Sequence, residues 1–187
     1  IMGTSAGGMI AQKFAAKYPE RCMGIVSDCA FAKCDTMRKI MFRTWRHMAT
    51  SWGCSPEFAD HVVTQAVGAE YLDGPKGADL IEMVRTVVGL NSPETVVQAC
   101  LAMEKMDLCK DIKKIKSPTL IITAAKDMLT PMYTGPKGAG SKWVADNIKN
   151  CELKVYKDIG HADLVECPEK TINATVRFLK KVKKKLN

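Results

Sequence analysis

The sequence predicts an α/β fold in which a mostly parallel sheet carries a helical insertion. Residues 1–34 and 107–187 alternate short apolar runs with helical stretches, an order typical of a parallel sheet. Residues 35–106 show helical spacing without a strand signal. A chain of 187 residues is long enough for one domain with a core. We therefore assign 1–34 and 107–187 to a sheet-containing core and 35–106 to a helical cap.

The first thirty residues predict a turn, a helix and a strand. Ile1-Met2 is the stub of a strand that precedes the small-residue turn Gly3-Thr4-Ser5-Ala6-Gly7. Residues 8–18 place apolar side chains at helical spacing among good helix formers, and Pro19 ends that helix. The apolar run 23–29 predicts a buried strand.

Residues 35–106, here called the helical block, predict several helices separated by turn residues. The breaks are expected at Gly53, at Gly74-Pro75 and at Ser92-Pro93, where Pro at the first helical position marks a start. Met and Trp side chains such as Met41 and Trp45 are frequent in the block. They suit either ordinary helix packing or an adaptable apolar lid over a pocket.

Alternation of strands and helices returns after the helical block. Thr119–Thr123 predicts a buried strand, 141–149 a helix, and 151–158 a strand nearer the sheet edge. The chain should end in an amphipathic helix over 168–186, which presents one apolar side. The members of that side are Ile172, Val176, Leu179 and Val182.

Composition narrows the class of protein. The eight cysteines form no C-x-x-C pair, so we expect reduced structural thiols, no metal site and a cytoplasmic location. The net charge of +8 is concentrated in a basic tail, because Arg177 to Asn187 holds cations and no acid. A solvated helix end accounts for this tail better than a nucleic-acid or membrane surface. We therefore expect neither nucleic acid nor membrane as a partner.

Three side chains that follow predicted strands suggest nucleophilic catalysis. Ser5 lies in a Gly-x-Ser-x-Gly turn, and a serine hydroxyl needs a base and an orienting acid to react. Of the three histidines, His161 follows the last strand, whereas His47 and His61 lie in the helical block. Asp127 follows the preceding strand. Because parallel strands end at one sheet edge, these three side chains are expected to meet there.

Each of these residues also suits a purely structural role. Ser5 could be an ordinary turn residue. His161 could be a loop residue whose hydrogen bonds are satisfied, and Asp127 could cap a helix or form a turn. Asp28 is a rival acid, because it also ends a strand. Asp163 lies too near His161 along the chain to orient it.

Several segments resemble the α/β-hydrolase superfamily. "GTSAGGMIAQKFAAKYPERCMGIVSD" resembles its nucleophile elbow, following helix and next strand, and "IKSPTLIITAAKDMLTP" its acid-bearing strand. "IGHADLVECPEKTINATVRFL" resembles its histidine loop and last helix. "ACLAMEKMDLCKDIKKIKSPTLII" is similar to the cap exit of 3-oxoadipate enol-lactonase-like ester hydrolases.

The resemblance implies a role for each residue. Ser5 would attack an ester or lactone carbonyl, His161 would act as base and then acid, and Asp127 would orient His161. The Ala6 backbone N–H would donate to the oxyanion, and Gly3 and Gly7 would allow close backbone approach in the elbow. No cofactor is implied, and the partner is a small ester or lactone. A non-catalytic ligand-binding protein and an acyltransferase with the same triad remain alternatives.

The resemblance also implies that further parts of the family fold precede residue 1. These are the early strands, the first helices and the loop with a second oxyanion donor. We therefore expect this chain to be an N-terminally truncated piece of a longer enzyme, and we expect the piece by itself to be inactive. Loss of one such donor lowers rates by roughly 100- to 1,000-fold.

Overall fold

A computed structural model describes the backbone of residues 1–186 and the side chains of residues 1–184. Four parallel strands form one sheet in the order β1-β2-β3-β4. Their bounds are Met2–Thr4, Ile25–Asp28, Thr119–Ala124 and Cys151–Tyr156. The predicted parallel sheet, with three strands after the opening turn, is confirmed. All four strands therefore end at one edge, which we call the carboxyl edge.

Ten α-helices accompany the strands within residues 1–186. Those of the first part are α1 (Ala6–Lys17), α2 (Thr36–Trp52), α3 (Pro56–Ala66), α4 (Ala69–Leu72), α5 (Gly77–Gly89) and α6 (Pro93–Lys105). Those of the second part are α7 (Cys109–Ile112), α8 (Ser141–Asp146), α9 (Asp163–Glu166) and α10 (Pro168–Leu186). Thus α2 to α6 lie between β2 and β3, where the sequence predicts the helical block.

The sheet separates two apolar clusters, because successive strand residues point to opposite faces. Ile25 and Ile121 point into the larger cluster, together with Phe31 and Ile112. The neighbouring residues Val26, Leu120 and Ile122 point into the smaller cluster, together with Tyr156, Phe178 and Val182. The residues of β2 and β3 are buried throughout, as expected for a sheet covered on both faces.

The helical block begins and breaks largely as predicted. Ser55 and Ser92 cap α3 and α6, since their hydroxyls accept the N–H groups of Phe58 and Thr95 at 3.3 and 3.2 Å. One additional break occurs before α4, where Gly68 precedes the helix. Inside the block, α2 and α6 are joined by an ion pair of 2.9 Å between Arg46 and Glu104. The division of the chain into a core and a cap stays a prediction.

The final helix is present, but the side it buries differs from the prediction. Ile172, Val176 and Leu179 are 53%, 42% and 47% exposed, and of the predicted side only Val182 is buried. The buried side is instead formed by Thr171, Thr175, Phe178 and Val182. Two threonines therefore replace aliphatic residues on the face that packs against the sheet. Thr171 tolerates burial because its hydroxyl donates to Asp163 Oδ2 at 2.7 Å.

No helix in residues 1–186 combines the length and the apolar character that a bilayer crossing requires. All eight cysteines are free thiols, of which Cys22, Cys29, Cys34, Cys100 and Cys167 are buried. Of the basic tail, the side chain of Lys185 and residue Asn187, with which the predicted core segment ends, lie outside the described residues.

Candidate active site

Ser5 lies at a sharp turn between β1 and α1. Its backbone has φ 55° and ψ −122°, a left-handed conformation that is uncommon for a residue with a side chain. The Ser5 N–H donates to the Asp28 carbonyl at 2.9 Å, and the Ser5 carbonyl accepts the Met9 N–H at 3.2 Å. These two bonds hold the turn in its strained form. A strand, Met2–Thr4, precedes the Ser5 turn, where the sequence analysis predicted a strand stub at Ile1-Met2.

The three glycines near Ser5 differ in how much space a side chain would have. A Cβ atom at Gly3 would overlap the Gly7 carbonyl group, and one at Gly8 would lie 2.8 Å from Ala30 Cβ. A Cβ atom at Gly7 would meet no atom within 4 Å. The absence of a side chain at Gly3 therefore allows the backbone of Gly7 to approach it closely, and Gly8 makes a further close contact. The assignment of Gly3 and Gly7 to a nucleophile elbow stays a prediction.

Asp127 and His161 meet at the carboxyl edge. Asp127 lies after β3 and His161 after β4, and Asp127 Oδ2 is 2.9 Å from His161 Nδ1. Asp127 Oδ1 accepts the N–H groups of Leu129 and Thr130, both at 2.8 Å. Asp127 is thus a turn former and a partner of His161 at once, so the structural role and the site role of this residue are compatible.

Thr130 is a site residue that the sequence pattern does not reveal. Its hydroxyl lies 2.6 Å from Asp127 Oδ2, 2.6 Å from the Cys29 carbonyl and 3.1 Å from His161 Nδ1. The only available signal is the spacing Asp127-x-x-Thr130, which is typical of a turn in which the aspartate accepts a bond three residues on. Thr130 therefore connects the aspartate–histidine pair to the end of β2.

The environment keeps the Asp127 carboxylate ionised. Burial by itself would raise its pKa, but the hydrogen bonds and charge of His161 and the bonds from Thr130 hold the pKa below its usual value. A carboxylate in this state can hold the His161 Nδ1–H and stabilise an imidazolium. Nε2 is then the ring nitrogen left for proton transfer.

The other acids and histidines lie apart from this pair. Asp28, the rival acid, accepts the Thr4 hydroxyl at 2.9 Å, and its hydrogen bonds within residues 1–184 do not include His161. His61 lies in α3, where its ring contacts Gln65 at 3.1 Å, and His47 lies in α2. The geometry therefore favours Asp127 over Asp28 as the partner of His161.

Ser5 opens onto a cavity of about 330 Å³ between the carboxyl edge and the helical block. Its walls include Ala6 and Thr130 from the edge, and apolar side chains of the block such as Phe42, Trp45 and Phe58. Within residues 1–184, the side chains of Ser5 and His161 do not form a hydrogen bond with each other. The structure thus brings Asp127 and His161 into contact and places Ser5 on the neighbouring cavity wall.

Two groups of side chains have the donor types of a metal site. One is Cys29, Asp127 and His161, and the other is Asp28, Cys29 and Asp163; within each group the donor atoms lie within 4.8 Å of one another. In the first group, Asp127 and His161 already bind each other. The absence of a metal stays a prediction.

A larger groove, of about 650 Å³, lies between β4 and α10. It is lined by Glu152, Lys154, Lys170 and Lys181, among others, and contains none of the candidate site residues. Most of its residues belong to the edge strand β4, to the loop that follows this strand, and to the surface helix α10. The smaller apolar cavity at Ser5 is therefore the better candidate for a substrate site.

The parallel sheet, the strained serine turn and the aspartate–histidine pair at the carboxyl edge define an α/β hydrolase. Residues 1–168 match the family described as "Serine aminopeptidase, S33". The chain belongs to this family of hydrolytic enzymes.

Individual relatives agree with this class. RutD from Caulobacter sp. (strain K31) is 25% identical over 182 residues, which are 96% of this chain and 64% of RutD. Human "Monoacylglycerol lipase ABHD6" is 30% identical over 196 residues, covering 97% of this chain and 55% of the lipase. The chain thus spans less than two thirds of either relative.

A solved structure supports the fold assignment. The enol-lactonase from Burkholderia xenovorans LB400 superposes with a TM-score of 0.83 over 96% of this chain and 64% of the lactonase. Its sequence identity is 21%, so the likeness concerns the fold.

Proposed function

We propose that this chain carries the catalytic centre of a serine hydrolase that cleaves a small carboxylic ester or lactone. The observation that carries the proposal is the strained Ser5 turn at the same sheet edge as the Asp127–His161 bond of 2.9 Å. A strained serine at a strand-to-helix turn and an oriented imidazole are the two parts that nucleophilic catalysis needs.

The proposed reaction proceeds through an acyl-enzyme. Ser5 Oγ attacks the carbonyl carbon while His161 Nε2 accepts the hydroxyl proton, and His161 then donates this proton to the leaving alkoxide. Water then attacks the acyl carbon while His161 Nε2 accepts a proton from it. His161 returns this proton to Ser5 Oγ as the acyl–Oγ bond breaks, which releases the carboxylic acid. Asp127 holds the imidazole by its Nδ1–H throughout.

Ala6 is the proposed oxyanion donor. As the first residue of α1 it has a backbone N–H with no intrahelical acceptor, and the helix N-terminus favours negative charge. Ala6 lines the same cavity as Ser5. These two observations support a role for this N–H in stabilising the tetrahedral intermediate.

The cavity favours an acyl ester over a peptide with a free amino terminus. The side chains that line it in the described part of the chain include no Asp or Glu that would bind an α-ammonium group. Phe42, Trp45 and Val88 instead offer an apolar surface to an acyl chain. The name of one relative, a monoacylglycerol lipase, supports ester chemistry.

The test compares the natural protein with its Ser5→Ala variant. A fluorophosphonate should label the wild type at Ser5, and p-nitrophenyl esters should be hydrolysed faster than aminoacyl p-nitroanilides. Ser5→Ala should lose the label and roughly 10⁶-fold in kcat. Equal ester turnover in both proteins would exclude Ser5 as the nucleophile. Turnover no faster than the buffer background in both proteins would favour a non-catalytic ligand-binding protein. An acyltransferase would be identified if an added alcohol accelerates the reaction and the acyl group is recovered as the ester of that alcohol.

A further inference from the structure

Asp28 and Asp163 are two fully buried carboxyl groups that the proposed reaction does not use. Both side chains are 0% exposed. One carboxylate oxygen of each lies within 4.8 Å of the other and of the Cys29 sulfur. Two negative charges this close inside a protein are strongly unfavourable. The pair therefore needs a compensating proton or cation.

The hydrogen bonds of the pair leave room for one proton. Thr4 donates its hydroxyl to Asp28 Oδ2 at 2.9 Å, and Thr171 donates its hydroxyl to Asp163 Oδ2 at 2.7 Å. The Oδ1 atoms of both residues are buried and have no hydrogen-bond partner within residues 1–184. A proton between the two carboxyl groups would satisfy both acceptors with one bond.

We propose that Asp28 and Asp163 share one proton, and that this pair is a positioning device that fixes the histidine loop to the Ser5 turn. Asp28 holds the turn twice, through the Thr4 hydroxyl and through the Ser5 N–H, which its carbonyl accepts at 2.9 Å. Asp163 lies two residues after His161 and begins α9. The effect on catalysis rests on the proposed function, whereas the shared proton does not.

Among the side chains of residues 1–184, the groups that act on Asp28 include no cation that could replace the proton. Two main causes raise the pKa of Asp28 to about 7: burial, which is the larger, and the negative charge of Asp163. The neighbouring titratable groups are Cys29, Asp127, Tyr156, His161, Glu166 and Cys167. The cations Lys126 and Lys170 act on Glu166 and Cys167. Loss of the proton would leave two uncompensated negative charges.

This arrangement makes stability depend on pH. The pKa of Asp28 is higher in the folded chain than the unfolded value of about 3.9, so its proton stabilises the fold at low pH. That contribution is lost as the pH rises from about 4 through about 7. Asp28→Asn keeps an oxygen for Thr4 and an N–H group for Asp163, and it carries no charge at any pH.

The test measures Tm as a function of pH. Between about pH 5.5 and 8.5, the Tm of the wild type should fall by roughly 4–8 °C relative to Asp28→Asn. Asp163→Asn, which neutralises the other partner, should remove the same dependence and serves if Asp28→Asn folds poorly. Parallel Tm curves for the wild type and both variants would overturn the shared proton.

Asp35→Asn is the matched control. Asp35 is 5% exposed, and although burial would raise its pKa, the N–H groups of Arg38 and Gly135 and the Arg38 charge lower it. Its replacement should therefore change Tm equally at all pH values of the window. If Mg²⁺ or Zn²⁺ raises the Tm of the wild type but not of Asp28→Asn, the pair binds a cation and the proposal is wrong.

A second readout addresses positioning. The rate of Ser5 labelling by a fluorophosphonate in the wild type should fall roughly 10-fold between about pH 7 and 8.5, because the protonated fraction of the pair falls. Asp28→Asn should keep its rate over this range, and an identical fall in the variant would overturn the positioning role. If Ser5 is not labelled at any pH, the proposed function fails, and the Tm comparison still decides whether the proton is shared.

Discussion

Two residues with side chains adopt a left-handed backbone at the carboxyl edge. Ser5, with φ 55°, follows β1, and Cys29, with φ 42°, follows the neighbouring strand β2. Such conformations cost on the order of 1–3 kcal/mol each unless surrounding contacts impose them. The contacts are the Ser5 N–H bond to Asp28 and the Thr130 hydroxyl bond of 2.6 Å to the Cys29 carbonyl. Strain is thus stored next to the aspartate–histidine pair.

Thr130 provides a prediction at the scale of one residue. Thr130→Val keeps the shape of the side chain but removes the hydroxyl beside Asp127 Oδ2. The pKa of Asp127, which this bond lowers, should rise, and His161 should be held less well. Because a hydrogen bond to a charged group contributes about 1.5–3 kcal/mol, we expect kcat for an ester to fall roughly 10- to 100-fold.

The conservative control is Thr130→Ser, which keeps the hydroxyl and should recover most of kcat. Thr130→Val should change kcat more than KM, since the lost hydroxyl acts through Asp127, and the similar shape of the Val side chain preserves the cavity wall that Thr130 forms. A Thr130→Val enzyme with wild-type kcat would mean that the hydroxyl serves only the Cys29 carbonyl.

At the scale of elements, the β1–α1 turn depends on how closely the strand approaches the helix. Gly3 lies against the backbone of Gly7 and Gly8, so any Cβ atom at this position requires the strand and helix to separate. The same helix contacts β2 through Gln12, whose amide donates to the Ser27 hydroxyl at 2.9 Å. The turn and the first two strands therefore form one tightly packed unit around Ser5.

Two glycine substitutions test this packing. Gly3→Ala should destabilise the fold by about 1–3 kcal/mol, because overpacking forces the backbone to shift. Gly7→Ala introduces a Cβ atom into open space inside α1 and should stabilise the chain by up to about 1 kcal/mol. Urea unfolding followed by circular dichroism measures both changes. Equal losses at both positions would show that the turn, rather than the close contact, is sensitive to side chains.

The face of α10 shows where periodicity and packing diverge. Ile172, Val176 and Leu179 satisfy the helical pattern, yet the helix is rotated so that Thr171, Thr175 and Phe178 contact the sheet. The rotation lets the Thr171 hydroxyl reach Asp163 beneath the helix. A hydrogen bond to a buried carboxylate thus compensates for aliphatic surface that stays exposed.

For the molecule as a whole, the helical block is connected to the histidine loop by several polar contacts. The Ala162 N–H donates to the Ala66 carbonyl at 2.9 Å. Glu166 accepts the N–H of Gly68 at 3.2 Å and that of Gly160 at 2.9 Å. The loop that carries His161 is therefore positioned by the sheet on one side and by the break between α3 and α4 on the other.

The cavity yields a prediction about substrate size. Ala99 in α6 lines the cavity at Ser5, and Ala99→Leu should narrow its volume of about 330 Å³. Because one misfitting methylene group costs about 1–3 kcal/mol, kcat/KM for a p-nitrophenyl hexanoate should fall roughly 10-fold or more relative to the acetate. Comparison of the two esters measures the change.

Ala102→Leu is the matched control, since Ala102 lies about one helical turn further along α6 and lines the adjacent apolar groove beside Met9 and Ile10, but not the cavity at Ser5. It should leave the ratio of the two esters unchanged. The same shift in both variants would place the acyl chain outside the cavity at Ser5.

The order of the secondary-structure elements and of the candidate site residues could be predicted from the amino-acid pattern. Hydrophobic periodicity is a local property, so the buried strands, the helical block and the caps Ser55 and Ser92 were predictable from neighbours along the chain. The Gly-x-Ser-x-Gly turn, and the placement of Asp127 and His161 after strands, followed from the same local pattern.

Tertiary structure alone decided which of these groups meet. The Asp127–His161 bond joins residues 34 positions apart, and Thr130 acquires its role only because β2 and β3 end side by side. Asp28 and Asp163 are ordinary acids as separate residues and become a pair through burial at one edge. Such contacts depend on how the sheet brings distant segments together and on how little water remains between them, and neither is encoded in the local pattern of the chain.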